Sequence, residues 1–588
     1  MRMKFSPEQI AADADGAWAN FAPAVPVTGF AIDSRKIKRG MLFFAIATEK
    51  DDGHRYLSAA QDNGACGAVV EHYNENVPIP QLVVRDSIVA LQSIAATHRQ
   101  RYANPVIAVA GSYGKTTTKE LLTLLLGSAE TLANAGNENN TLGVPLTLLG
   151  LNPEKHQFAV IETGISRPGE MATIGKMLRP THVILTAISQ KHLEFFSSQE
   201  ALLGEKLHIC ESVPRQNGFI TTGMELAQLP QFAPFHGYLR TVASTPFQGT
   251  GSTICVPRWE NEKMFCRIIF SDMEGAEEEY ELPIPSEGFA YDFTLCRVIT
   301  RHFGINRETT ARRLALWKPL PLRGQIFRHR QKKQIYFADC YNSDVPALIE
   351  SVRVFEKKFP HEPRYYVIGS LGEYGVESER QHRLAGEQLP IVTYERILFL
   401  GEECIFVHDA LIQRGFSPKS MCICRDLDEI RSILCDVEGA IYLKGSRAHE
   451  LERLIDFADC ELSDGAELDQ AKGIIRGIYE SSKESSANES SSESFSGPSL
   501  VEGTGGGTLR MQSSICSGVM PSKHLRNNGT ASGLYLLSIV KTFSESSDRG
   551  DRISKRSSTG NFSRIEKKDS MASSAALRHR NIGKVYPH

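Results

Sequence analysis

The sequence predicts an α/β protein with mainly parallel sheets, on three observations. Short apolar runs alternate with longer helical patterns over residues 1–480. One run leads straight into a Gly-Lys-Thr turn and a Leu-rich segment, the layout of a strand, a phosphate-binding turn and a helix. The composition, 41% hydrophobic and 23% charged over 588 residues, is that of an ordinary water-soluble chain. At roughly 150 residues per domain this length predicts three or four domains.

Charge and hydropathy exclude several classes of function. Lys plus Arg number 66 against 69 Asp plus Glu, so there is no excess of positive charge to recruit nucleic acid or an anionic membrane. The longest apolar runs, Leu121–Leu126 and Leu534–Val540, fall far short of the ~20 residues needed to span a bilayer. The opening MRMKFSPEQI is basic but has no apolar stretch behind it, so no signal peptide is expected and a cytoplasmic location is. The 12 cysteines are scattered without a Cys-x-x-Cys pair, which predicts reduced thiols and no structural zinc site.

In chain order, strands are expected at Val106–Ala110, Phe158–Ile161, His182–Thr186, Tyr365–Ile368, Ile397–Leu400 and Ala440–Leu443. Helices are expected over Thr116–Ser128 and from near Ser198. Boundaries fall near Tyr102–Pro105 and in the Pro-rich stretch Pro319–Gly324. From Ser481 onward the Ser/Gly/Lys/Glu-rich sequence offers too little apolar surface to offset its conformational entropy, so a largely disordered tail is predicted, with one short apolar island at Gly533–Val540.

The sharpest motif is Gly111-Ser112-Tyr113-Gly114-Lys115-Thr116-Thr117. Its glycines permit a tight turn that aims backbone N–H groups at phosphate oxygens, and the helix that follows adds positive potential. Lys115 is placed for the β/γ-phosphates and the Thr116 hydroxyl for Mg2+. A strict P-loop has another glycine where Val109 stands, so this is a shortened version. Glu162 closes the strand FAVIE, and His192 follows HVILTAIS; both are candidate groups at the strand ends where open α/β sheets bind ligands. Lys206 reads locally as a solvated helix charge. Asn137, Asn139 and Asn140 form an amide-rich loop that could bind substrate or merely build a turn. Asp339-Cys-Tyr341-Asn342 and Lys444-Gly-Ser446-Arg447 each follow a strand, as groups lining a cleft would.

Together these blocks resemble the Mur ligase family, on the branch that adds D-alanyl-D-alanine. The resemblance is carried by DSRKIKRGMLFFAI, GSYGKTTTKELL, GNENNTLGVPLTLL, IETGISRPGEM, KHLEFFSSQEALLGEK, FADCYNSD, GSLGEYGVESERQHRLAGE and LKGSRAHELE, in family order over roughly residues 25–460. It implies a UDP-sugar-binding domain at 1–103, a P-loop ATP-binding domain at 104–325 and a Rossmann-like ligase domain at 326–478, with the tail at 479–588. It also implies an ATP-dependent amide ligase, acting as a monomer on small-molecule substrates, UDP-N-acetylmuramoyl-tripeptide and D-alanyl-D-alanine, through an acyl phosphate. Two Mg2+ ions are implied: Thr116 and Glu162 on the first, His192 and a carbamylated Lys206 on the second, which reverses the local reading of that lysine. Lys115, His192 and Lys206 become catalytic candidates. Gly111 to Thr117, Asp292, Arg323 and Asp339 become ATP-binding candidates. Ser34, Arg35, Asn137, Asn139, Asn140, Tyr341, Asn342, Lys444, Ser446 and Arg447 become substrate-binding candidates. The chain departs from the family where SEGFAYDFTLC puts Asp292 in the place of an adenine-seating Asn and lacks its His, and where Asp344 ends a Tyr-Asn-Ser-Asp run. Two alternatives stay open: a sister ligase with another amino-acid acceptor, and a non-catalytic scaffold.

Overall fold

The computed structural model describes residues 3–48, 51–188, 195–196, 198–244, 252–270 and 276–463. The predicted tail and its apolar island lie outside these residues, as does His192. Among the described residues no helix is long and apolar enough to cross a membrane.

Three sheets follow one another along the chain. The first has five strands in the order Ala17–Trp18, Gln81–Val83, Gly67–Val70, Met41–Phe44, Gly29–Ala31, with only the two-residue edge strand antiparallel. The second has nine strands. Thr131–Ala133, Phe158–Glu162, Val106–Ala110, His182–Leu185, Phe219–Gly223, Leu239–Ala243 and Ser252–Glu260 run parallel, and Lys263–Phe270 and Ala276–Leu282 complete it as an antiparallel meander. The third has seven: Met421–Cys424, Arg396–Leu400, Arg364–Gly369, Gly439–Lys444 and Gln334–Ala338 in parallel, then antiparallel Gln325–His329 and Cys460–Leu462. The six expected strands are present with ends shifted by a residue or so, the scatter normal for strand ends.

Val106–Ala110 shows why apolar runs become central strands. All five side chains are buried. Val106, Ala108 and Ala110 join a core that continues into the helix Ser87–Gln100 and the first sheet, while Ile107 and Val109 face the other way, against Leu121, Leu122 and Leu125. A strand covered on both faces has no solvated side to mark with polar residues, hence the unbroken apolar sequence. The Leu-rich helix after it spans Lys115–Leu126 and ends at Gly127, whose φ of +107° suits glycine. Pro319–Gly324 leads into the third sheet and carries Arg323 back toward the central one.

Candidate active site

Val106–Ala110 lies mid-sheet, with Phe158–Glu162 on one side and His182–Leu185 on the other. Its carboxyl end opens into the Gly111–Thr117 turn, at the edge where doubly wound sheets bind ligands. Gly111 (φ +142°) and Gly114 (φ +80°) adopt backbone conformations that other residues rarely take. At Gly111 a Cβ would also stand 2.0 Å from Thr186 Oγ1. Thr186, at the end of the neighbouring strand, holds the loop from outside: its hydroxyl donates to Tyr113 O at 2.7 Å, and Ala187 O accepts from the Ser112 N–H at 2.7 Å. Lys115 Nζ lies 2.9 Å from Ser112 O, folded against the loop.

Glu162 is 2% exposed. Its Oε1 accepts from Asn139 Nδ2 at 2.7 Å, and Asn134 grips its backbone from both sides, accepting from the Glu162 N–H (2.9 Å) and donating to its carbonyl (3.1 Å). Glu162 Oε2 is buried and has no hydrogen-bond partner among the described residues. An anionic oxygen left so costs several kcal/mol unless a cation or donor reaches it. Across the loop, Lys206 is buried on the helix Gln199–Leu207 and donates to Gly111 O at 3.1 Å. Burial, with a smaller contribution from the Lys115 charge, brings its amine down to about 7.

Asp292 lies in the second turn of the helix Glu287–His302, with a carboxylate oxygen 3.0 Å from where a Gly114 Cβ would be. Burial pushes its carboxyl up to about 8, against a smaller opposing pull from the Thr118 hydroxyl. A carboxyl held at about 8 favours its neutral form at neutral pH, which lightens the negative charge beside the loop.

The third sheet contributes from its own carboxyl edge. Lys444 Nζ donates to Asp339 Oδ2 at 2.7 Å and is nearly fully buried. Arg323 spans the two regions: its guanidinium lies 4.5 Å over the Tyr341 ring and donates to Thr116 Oγ1 at 3.3 Å. Arg447 pairs with the wholly buried Glu452 at 2.5 Å, and the Ser446 N–H donates to Ser370 O. Glu373, beyond the strand Arg364–Gly369, holds φ at +72°, and its charge is felt at the Lys206 amine. A non-glycine residue in that conformation stores strain of the kind found at functional sites. A separate groove of about 490 Å³, bordered by Arg425, Arg431, His449 and Arg453, includes no residue of the central sheet; its three arginines are paired to Glu429, Asp428 and Glu450.

Two family models match, one described as the Mur ligase middle domain over residues 109–243 and the other as the Mur ligase family catalytic domain over residues 26–110. The UDP-N-acetylmuramoyl-tripeptide--D-alanyl-D-alanine ligase of Escherichia coli (strain K12) is 27% identical over 427 residues, covering 72% of this chain and 92% of its own. Across residues 26–243 the chain is similar to the Mur ligase family. Its fold is that of MurF from Acinetobacter baumannii, with a TM-score of 0.68 at 24% identity over 77% of this chain and 98% of that one. The MurF ligase from Thermotoga maritima in complex with ADP superimposes with a TM-score of 0.61 at 23% identity, covering 72% and 96%.

Of the residues singled out in the sequence, the structure gathers Gly111 to Thr117, Glu162, Lys206, Asp292 and Arg323 around one loop. Asn139 joins them through Glu162. Asn140 turns its side-chain oxygen to the Leu142 and Gly143 N–H groups, as a turn residue does, and Asn137 is exposed. Asp339, Tyr341, Asn342, Lys444, Ser446 and Arg447 follow strands of the third sheet. Ser34 and Arg35 belong to the first sheet's loops, where Asp33 accepts two bonds from the Arg35 guanidinium. Sequence reasoning missed Thr186, Asn134 and Glu373. Only Thr186 left a signal, a hydroxyl at the end of a strand beside the P-loop.

Proposed function

We propose that this chain is an ATP-dependent amide ligase that adds D-alanyl-D-alanine to UDP-N-acetylmuramoyl-tripeptide in peptidoglycan precursor synthesis. The activity is that of the relatives it resembles along most of its length. The observation that carries the reading is the gathering of the half-buried Lys115 and Thr116 with the buried Glu162 and Lys206 around the P-loop. A scaffold would have no use for a P-loop with an unpartnered buried carboxylate oxygen and a lysine held near neutrality beside it.

The regions divide the work. Residues 1–103, with Ser34 and Arg35, bind the UDP portion. Residues 104–325 bind ATP, and residues 326–478 bring Asp339, Tyr341, Asn342, Lys444, Ser446 and Arg447 to the acceptor dipeptide and the nucleotide. The donor set fits Mg2+: Glu162 Oε2 is a free anionic oxygen and the Thr116 hydroxyl a neutral one, both hard ligands. Bound there, Mg2+ would neutralise charge on the β- and γ-phosphates. Lys206 suits carbamylation because an amine with a pKa near 7 is largely unprotonated at neutral pH. Its nitrogen attacks CO2, forms an N–C bond and releases a proton, leaving an anionic oxygen pair that, with His192, would hold a second ion.

In the reaction, a tripeptide carboxylate oxygen attacks the γ-phosphorus and the bond to ADP breaks. Lys115 and the loop N–H groups offset charge on the moving phosphoryl group. The dipeptide's amine then adds to the acyl carbon, gives up its proton, and phosphate leaves as the amide forms. The test is phosphate release from Mg-ATP with each substrate omitted in turn. Turnover that needs all three, with a UDP-N-acetylmuramoyl-pentapeptide product, is expected. Release with another amino acid in place of the dipeptide would assign a sister ligase, and ATP binding without turnover under any acceptor would overturn the enzyme reading.

A further inference from the structure

The helix Val345–Lys358 belongs to the third sheet's layer, yet one stripe of it is turned to the central region. Asp344 caps its start by accepting from the Ala347 N–H at 2.8 Å, and Val345 N–H donates to Tyr374 OH. Two turns further, Glu350 leaves its own layer. Its Oε1 accepts from Ser286 Oγ at 2.7 Å, from the Glu287 N–H at 2.8 Å and, more weakly, from the Gly288 N–H at 3.4 Å. Seven residues on, two helical turns along the same face, Lys357 Nζ stands 5.3 Å over the ring of Trp259, on the strand Ser252–Glu260 of the central sheet.

Those donors are the first free N–H groups of the helix Glu287–His302 and the hydroxyl that caps it, for Ser286 Oγ also accepts from the Phe289 N–H at 3.0 Å. A carboxylate there meets the positive end of the helix dipole, and only 13% of the Glu350 side chain is exposed. The captured helix is the one that presses Asp292 against Gly114. The charge of Glu350 is felt as far as Tyr113 in the P-loop itself.

We propose that Glu350 is a closing latch: by seizing the N-terminus of the Glu287–His302 helix it docks the ligase region on the central region and fixes the P-loop geometry in the docked state. Glu350 is a positioning residue, since it acts through this helix. Lys357 over Trp259 is the second foot of the same helix. The proposal rests on the ligase reading only for its kinetic arm.

The test uses the full chain with Glu350→Gln, Glu350→Ala, Ser286→Ala and the Glu350→Ala/Ser286→Ala pair. Small-angle scattering with Mg-ATP reads docking without any ligase activity. Glu350→Ala is expected to enlarge the radius of gyration, and Glu350→Gln, which keeps one acceptor oxygen, to do so less. In turnover, kcat is expected to fall about tenfold in Glu350→Ala, the scale of a lost charge-assisted cap, while the ATP dissociation constant moves less than kcat. The double variant should be less impaired than the sum of the two single variants, because both remove the same Ser286–Glu350 contact, with the Ser286 cap of Phe289 as the only added loss. Unchanged scattering in Glu350→Ala, or effects of the two single variants that simply add, would overturn the latch. Should Glu350→Ala fail to fold, Glu350→Gln and Ser286→Ala decide on the same two readouts. A wild-type chain without ligase turnover sinks the proposed activity and leaves the scattering result to judge the latch.

Discussion

Replacing Asp292 with Asn tests the claim that a protonated acid flanks the P-loop. An Asp of ordinary pKa 3.8 held at about 8 in the folded chain binds a proton that the unfolded chain has already lost. The sign follows: below the unfolded value the residue is neutral in both states and costs nothing. Between the two values the unfolded state is favoured by about 1.4 kcal/mol per pH unit, and above the folded value the cost is constant. At pH 7 the interval from 3.8 gives an upper bound of about 4 kcal/mol, and partial exposure of Asp292 to cleft water reduces this to about 2 kcal/mol. Asp292→Asn keeps the shape without that cost. Its thermal midpoint is expected to match wild type near pH 4 and to exceed it by a few degrees at pH 8. Nucleotide affinity follows the same logic, because a carboxylate formed beside Gly114 repels a polyphosphate in the loop. Wild-type ATP affinity should decline as pH rises through about 8, and the Asn variant should stay flat over that step. Midpoints that track wild type at every pH, together with an unaltered pH slope of ATP affinity, would refute the buried-acid argument.

Other outcomes follow from the same geometry. Lys115→Ala is expected to lower turnover at least about 10³-fold by removing the charge that faces the phosphates, with the thermal midpoint nearly unchanged; full activity would overturn the P-loop assignment. Gly111→Ala places a methyl 2.0 Å from Thr186 Oγ1, so it should abolish nucleotide binding by titration calorimetry, whereas Thr186→Val should weaken it less. Glu162→Gln should raise the Mg2+ concentration needed for half-maximal turnover, and a metal response identical to wild type would remove Glu162 from the ion site. Turnover should fall as pH drops below about 7, where the Lys206 amine becomes protonated and can no longer take up CO2. Added bicarbonate should partly restore it in wild type, and a carbamate signal with 13C-bicarbonate should be missing from Lys206→Ala.

What the sequence made legible is what local physics controls. A doubly covered parallel strand must be apolar at every position, so Val106–Ala110 and its neighbours announced themselves. The Gly-Lys-Thr turn did so as well, because residues other than glycine rarely adopt φ of +142° and +80° and the following helix must start where the loop ends. Lys206 was locally indistinguishable from a solvated helix charge; its register in a recognised family block gave it meaning, and burial beside Lys115 supplies the physical reason.

The residues that stayed silent act across distances in sequence that no local pattern encodes. Asn134 holds Glu162 from a loop 28 positions earlier, and nothing about a buried Asn after a short strand marks it as a clamp. Asp292 was singled out only by its place in a resembled family block; its neighbours in the helix are apolar, and nothing local tells that its carboxyl lies against Gly114. Glu350 and Lys357 share a stripe with Arg353, the pattern of any solvated helix face, and only the docking of a second region turns that stripe inward. A latch of the kind proposed for Glu350 joins regions that also part. Contacts serving that motion have to remain soluble when parted, and are therefore written in charges and hydroxyls. The polarity that lets the latch open is the same polarity that hides it in the sequence.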